Sequence, residues 1–269
     1  MDKIEIANYI IENEKIPKEF NNYVILQISD LHNKSFGKNN CKLISKIDQI
    51  NPQVVFITGD IIDGENKNYQ VALDLFNNLV KKYQVYHITG NHEQKALIKE
   101  YKDMYLEYFK QLKKIPAVHL DNEMIQIKKG DSHINLYGLT IPFRCYKYLF
   151  DKDKSIDLGK DFLQKNLPTI NKKEYNILLA HTPFYFEEYE KWGADLILAG
   201  HVHGGIIRLP YVGGLLSPNR HFFPKYDLGK YNKNNSTMIV TKGLGGSKVL
   251  VRINCKPEIV KITLKSKHQ

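Results

Sequence analysis

The chain reads as an α/β protein, and three observations carry that expectation. Short apolar, β-branched runs alternate with longer stretches that repeat apolar residues at the helical period. Five strand-like runs end in a block of polar, metal-competent residues. With 269 residues and a hydrophobic fraction of 42%, the chain can bury one large core. One domain over residues 1–269 is expected, because no repeat, low-complexity tail or shift in composition marks a boundary.

Taken in order, Val24–Ile28 reads as a strand that runs into Asp30-Leu31-His32. An amphipathic stretch, Cys41–Ile50, predicts a helix before the apolar run 54–58 and its block Gly59-Asp60-Ile61-Ile62-Asp63. A second helix is expected over 69–81, a strand over 85–89 ahead of Gly90-Asn91-His92-Glu93, and one helix over 94–113. Residues 177–180 lead into His181-Thr182-Pro183, and Leu196–Ala199 lead into Gly200-His201-Val202-His203-Gly204-Gly205. In an open α/β sheet, polar residues at the ends of the strands line one edge and one site.

Several function classes are disfavoured by composition. The stretch from Ile4 to Ile11 is interrupted by Glu5 and Asn8, so it suits neither a signal peptide nor a membrane span. As written, the sequence reads as soluble and cytoplasmic. Cys41, Cys145 and Cys255 are odd in number and lack knuckle spacing, and they are expected as buried or half-buried hydrophobes. The net charge of +10 attracts anions at long range, but the lysines are interleaved with Asn, Asp and Glu. A nucleic-acid binder would concentrate them in a stripe, so nucleic acid is not the favoured partner.

The blocks have chemistry of their own. Asp30 and His32 are two residues apart at a strand end, so their side chains point the same way and can clamp one ion. Asp60 follows a fully apolar strand, where a buried carboxylate needs a cation or donors beside it. Asn91 offers a neutral amide oxygen, although an Asn at this place could equally cap a helix. His201 and His203 sit among glycines that let the backbone turn tightly around whatever they hold. Imidazole and carboxylate together suit Mn, Fe or Zn, and the number of candidates exceeds what one tetrahedral ion uses. Two divalent ions at one site fit phosphoester hydrolysis.

Asp-x-His, Gly-Asp-x-x-Asp, Gly-Asn-His-Glu, a later His and Gly-His-x-His, in this order from Asp30 to His203, resemble the calcineurin-like metallophosphoesterases. The resemblance implies a four-layer αββα sandwich of two mixed β-sheets flanked by helices. It implies one metal on Asp30, His32, Asp60 and His203, and a second on Asp60, Asn91, His181 and His201, with Asp60 as the bridge. It also implies that His92 is no ligand but faces the phosphate, with Asp63 orienting it. Histidine titrates near neutrality and is a natural general acid, which agrees with that role.

Residues 223–226, 241–246 and 252–259 look like a small bacterial branch of phosphodiesterase-like proteins, which commonly carry an N-terminal anchor or export signal. With such a segment the protein would be membrane-associated or exported. The expected activity is a phosphodiesterase with a hydroxide bridging two ions, manganese first among the metals, acting on a small or lipid-like phosphoester. A non-catalytic metal-containing module and a metal-dependent nuclease are the alternatives. Asn91, His92, Arg220, His221 and Lys225 are the expected substrate contacts, and Arg144, Arg208, Lys242 and Arg252 are further cationic candidates. Residues 209–231 read as a flap over the site. His87, His119 and His133 are expected to be core or surface residues.

Overall fold

The computed structural model describes residues 3–146, 158–159, 161–204, 208–209, 213–214, 225–246 and 255–268. In chain order the strands and helices begin with β1 (Glu5–Asn13), β2 (Val24–Ile28), α1 (Cys41–Ile50), β3 (Val54–Ile57), α2 (Gln70–Leu79) and β4 (Gln84–His87). Then follow α3 (Asn91–Ala96), α4 (Lys102–Leu112), β5 (Val118–His119), β6 (Glu123–Lys129), β7 (Ser132–Leu139), α5 (Phe162–Asn166) and β8 (Asn176–Ala180). The remainder are α6 (Phe186–Trp192), β9 (Leu196–Ala199), the short ribbon β10 (Arg208–Leu209) and β11 (Gly213–Gly214), β12 (Gly229–Lys233), β13 (Ser236–Val240) and β14 (Glu258–Ser266).

Two six-stranded sheets carry the fold, in the orders β1-β14-β2-β3-β4-β5 and β12-β13-β9-β8-β7-β6. Both are mixed. In the first, β14 is antiparallel to β2 while β2, β3, β4 and β5 run parallel. In the second, β13, β9, β8 and β7 run parallel between antiparallel edges β12 and β6. The period-two alternation of β3 shows how the layers are made. Val54 and Phe56 face the second sheet, where they meet Ile177, Leu179, Leu196 and Leu198. Val55 and Ile57 face outward onto Leu43, Ile47, Leu73 and Phe76 of α1 and α2. On the other side, Leu178, Ile197 and Met238 pack against Leu163 of α5 and Phe186, Tyr189 and Trp192 of α6. The result is the helix, sheet, sheet, helix sandwich.

Three details depart from the sequence expectations. The five polar blocks do not line one sheet: β2, β3 and β4 belong to the first and β8 and β9 to the second. The expected helix over 94–113 divides into α3 and α4. Leu97 and Ile98 bond three residues back, to Gln94 and Lys95, which tightens and ends the first piece. The Gln94 amide is meanwhile tied to the Ile141 carbonyl at 2.8 Å, so α3 stays with the sheet ends while α4 turns to lay Tyr105 and Tyr108 against the α2 layer. Cys41 is exposed, at the first turn of α1.

The sheets are bonded to each other as well as packed. Gln27 on β2 is fully buried and its amide donates to Thr58 Oγ1 at 3.2 Å and to the Ala199 carbonyl at 2.9 Å, across to the end of β9. Among the described residues no helix is long and apolar enough to cross a membrane. Replacing Gln27 with Leu keeps the volume and removes the cross-sheet donor, so it is expected to lower stability by roughly 1–3 kcal/mol in urea unfolding. An unchanged midpoint would mean that apolar packing alone sets the spacing of the sheets.

Candidate metal centre

Three of the five blocks leave their strands through turns that an L-residue rarely adopts. Asp30, His32, Asp60, His201 and His203 all have left-handed backbones, with φ of 53°, 50°, 55°, 70° and 55°. Such conformations cost about 1 kcal/mol or more each and gather at functional sites. Neighbouring strand ends hold them in place. Asp30 N–H donates to the Gly59 carbonyl at 3.0 Å, His32 N–H to Asp60 at 3.1 Å, and Gly200 N–H to His181 at 2.9 Å. Gly59 is required at its position: at φ 91°, an added Cβ would lie 2.7 Å from Gly90 N and 2.9 Å from His181 Nδ1.

The turns bring the side chains together at the seam between the sheets. Donor atoms of Asp30, His32 and His203 lie within 4.8 Å of one another, as do those of Asp60, His181 and His201. His32 Nε2 and His203 Nε2 are 3.3 Å apart, and His203 Nε2 is 3.5 Å from Asp30 Oδ1. Asp60 stands between the two groups, with Oδ2 3.0 Å from His181 Nε2 and 3.9 Å from His32 Nε2. Its other oxygen is taken by His92 N–H at 2.8 Å, so one carboxylate oxygen is fixed by the backbone and the other faces both clusters. Asn91 stands at the N-terminus of α3 with its Oδ1 buried and unpartnered.

Electrostatics and orphaned atoms both fit a cation. Burial works against charge on Asp30 and Asp60, yet the imidazoles overcome it and hold both carboxyls well below the usual range, His203 and His32 for Asp30 and His181 and His92 for Asp60. His181 is discouraged by burial but raised to about 10 by Asp60, while burial and His181 push His201 down to about 3. His181 Nδ1 is 2.6 Å from the Thr58 carbonyl, which leaves Nε2 as the atom facing Asp60. That Nε2 meets the Asp60 carboxylate as an ion pair, without good hydrogen-bond geometry. Two buried acids, converging imidazole nitrogens and a spare amide oxygen make a donor set suited to Mn, Fe or Zn.

His92 lies at the rim of these clusters. Its ring meets the His32 ring edge-on at 4.5 Å, and its Nδ1 is 3.1 Å from Asp63 Oδ1. Lys225 is exposed and held by Glu187 at 2.5 Å. Lys242 is 2.7 Å from Glu5. Arg220, His221, Arg252 and most of the expected flap lie outside the described residues, as does Gly205.

Two contributors escape a reading of motifs. Glu93 is 6% exposed, and its carboxylate accepts from the N–H groups of Asp60 at 2.9 Å, Ile61 at 2.8 Å and Gly90 at 2.8 Å. Burial and the Asp60 charge push its carboxyl up, against the pull of those N–H groups. It clasps the β3 and β4 loops together. Its motif position was visible, but nothing local said that it reaches a loop some thirty residues away. Tyr146 comes from a sixth strand end, after β7, through a 3-10 turn at Phe143–Cys145. It is 3% exposed, its ring stands 5.2 Å from His201 and 5.9 Å from His181, and its hydroxyl has no partner. No spacing in the sequence announces it.

Glu93→Gln turns one acceptor oxygen into a donor facing N–H groups. It is expected to destabilise the metal-free protein by roughly 2–3 kcal/mol in urea unfolding. A loss under about 0.5 kcal/mol would show that the loops hold their shape without it.

The sequence pattern of the family described as calcineurin-like phosphoesterase matches residues 23–205, which hold both clusters together with Asp63, Asn91, His92, Glu93 and Tyr146. The Bacillus subtilis (strain 168) protein named uncharacterized metallophosphoesterase YkuE is 27% identical over 276 residues, covering 98% of this chain and 86% of that one. A Danio rerio protein named transmembrane protein with metallophosphoesterase domain is 26% identical, covering 97% of this chain and 57% of the other. Among solved structures, a Staphylococcus aureus protein assigned as a 5'-nucleotidase superposes with a TM-score of 0.53 at 15% identity, over 82% of this chain and 49% of that one, and so shares the fold. A match over most of the chain, on the sandwich and with the acids and imidazoles gathered at its seam, places the protein in the calcineurin-like phosphoesterase family, as a metal-dependent phosphoester hydrolase.

Proposed function

We propose that the protein is a phosphodiesterase of one domain, with one ion on Asp30, His32, Asp60 and His203 and a second on Asp60, Asn91, His181 and His201. The observation that carries this reading is the position of Asp60, whose free oxygen faces both imidazole clusters. Two divalent ions held by these residues would supply positive charge for the phosphoryl oxygens and would activate water for in-line attack on phosphorus. Manganese is our first choice for the pair, with iron and zinc admitted by the same ligands.

The chain's own side chains divide the remaining work. Asp60 is oriented by His92 N–H, and Asp30 by His201 N–H at 3.2 and 3.1 Å, so neither carboxylate has to reorganise. With Nδ1 against Asp63, His92 keeps Nε2 for the substrate, where it donates to a phosphoryl oxygen or protonates the departing alkoxide. A diester is favoured over a monoester on charge. A monoester brings an additional negative charge, and two of the candidate cations are already engaged, Lys225 by Glu187 and Lys242 by Glu5.

The test is hydrolysis of bis-p-nitrophenyl phosphate against p-nitrophenyl phosphate by chelator-stripped protein, with Mn, Zn, Fe, Ni or Mg restored singly. Metal-restored cleavage preferring the diester is expected, and a preference for the monoester sinks the diester assignment. In the same assay His92→Ala should lower kcat by roughly 10²–10⁴ while the bound metal is unchanged. An unaltered kcat would remove His92 from proton transfer. Asp60→Asn should lower metal content at both positions, and full content with full turnover would rule out its bridging role.

A further inference from the structure

The helical layer over the first sheet is incomplete. Beside α4, above β4 and the two-residue β5, lies a cavity of about 440 Å³, within the roughly 300–1,000 Å³ range of small-molecule sites. His87 and His119 are neighbours in the sheet register and line it together, stacked with ring centres 4.7 Å apart and planes 20° from parallel. Phe76 meets the His87 ring at 5.0 Å from α2. Leu106, an apolar residue 48% exposed, stands on the lining as well.

His87 is the anomaly. It is only 7% exposed, and its ring faces a largely apolar cavity. His119 is satisfied by Thr89 Oγ1 at 2.9 Å. Burial, with His119 adding to it, pushes His87 down to about 3, so at neutral pH it brings one donor and one acceptor but no charge. Thr140, whose Oγ1 is buried without a partner, lines the same cavity. Buried polar groups are nearly always paired, so the unpaired Thr140 hydroxyl on the apolar cavity that His87 lines points to a missing partner.

We propose that this cavity binds a flat, uncharged aromatic or heteroaromatic molecule, which packs against Phe76 and the His87–His119 stack and hydrogen-bonds to His87 and Thr140. The aromatic lining selects a ring, and the absence of charge on His87 gives an anion no advantage. Glu93 forms part of the same lining, so the cavity and the metal centre share a side chain. The proposal does not depend on the diesterase reading, because binding is measured without turnover.

Indole is the probe: it is flat and uncharged and carries one N–H donor. Titrated into the full chain and followed by saturation-transfer NMR, it is expected to occupy one saturable site with Kd of about 1 mM. His87→Phe keeps the ring and removes both nitrogens, and should weaken binding by about five- to ten-fold. Ala117→Trp, placed on the lining, fills the space and should abolish saturation. Circular dichroism and the thermal midpoint report whether each variant is folded, and His87→Phe carries the test if Ala117→Trp is not. No saturation in the wild type up to about 10 mM, or the same affinity in wild type and His87→Phe, overturns the proposal and leaves a cavity filled by water only.

Discussion

The structure is organised around the burial of two carboxylates. Asp30 and Asp60 are 0% and 1% exposed at the seam where two sheets end side by side, a placement that is prohibitive unless positive charge and N–H donors surround them. Much of the local architecture answers that demand. His201 and His92 supply backbone donors, three imidazoles crowd the acids, and Gly200 and Gly243 approach Asp30 so closely that a Cβ on either would meet it. Leu244 and Gly245 complete the enclosure by donating to the Ser29 and Asp30 carbonyls. A site held this firmly before any ion arrives is preorganised, and preorganised charge is worth more in a transition state than charge that must move into place.

The two central loops have a shared logic. The β3 loop carries Asp60 and Asp63, and the β4 loop carries Asn91 and His92. The first delivers Asp60 to the clusters and Asp63 to the His92–Asp63 pair, the second delivers His92 to that pair, and Glu93 fastens one loop to the other. The positions of Asp60 and of the His92–Asp63 pair cannot drift apart, because the same two loops set both. The same two loops set His92 against Asp63 at the edge of the clusters.

What the sequence disclosed follows from how local each feature is. The strands before Asp30, Asp60, Asn91, His181 and His201 were legible because a short β-branched run followed by glycine and a polar block reads within a few residues. The pairing of His92 with Asp63 came only through family resemblance, since nothing in a spacing of twenty-nine residues predicts the 3.1 Å contact. The division into two sheets was equally invisible to periodicity, because β3 and β8 are both fully buried runs with the same appearance. Tyr146 and the grasp of Glu93 depend on where distant loops settle. The break between α3 and α4 was hidden because apolar spacing continues through it while the hydrogen-bond ladder does not.

The order of strands in the first sheet has a consequence for how the molecule comes into being. β14 lies between β1 and β2, parallel to one and antiparallel to the other, although it is the last strand in the described order. During synthesis, β2 therefore waits with an open edge while nearly the whole remaining fold is made. The loop that packs Leu244 and Gly245 over Asp30 precedes β14 and is anchored to its start, where Glu258 N–H bonds the Gly243 carbonyl at 3.0 Å. Closure over so long a loop is slow, and an unpaired strand edge is adhesive while it lasts. The nascent chain is thus most vulnerable to aggregation late, just before a single insertion both seals the sheet and seats the loop that encloses Asp30.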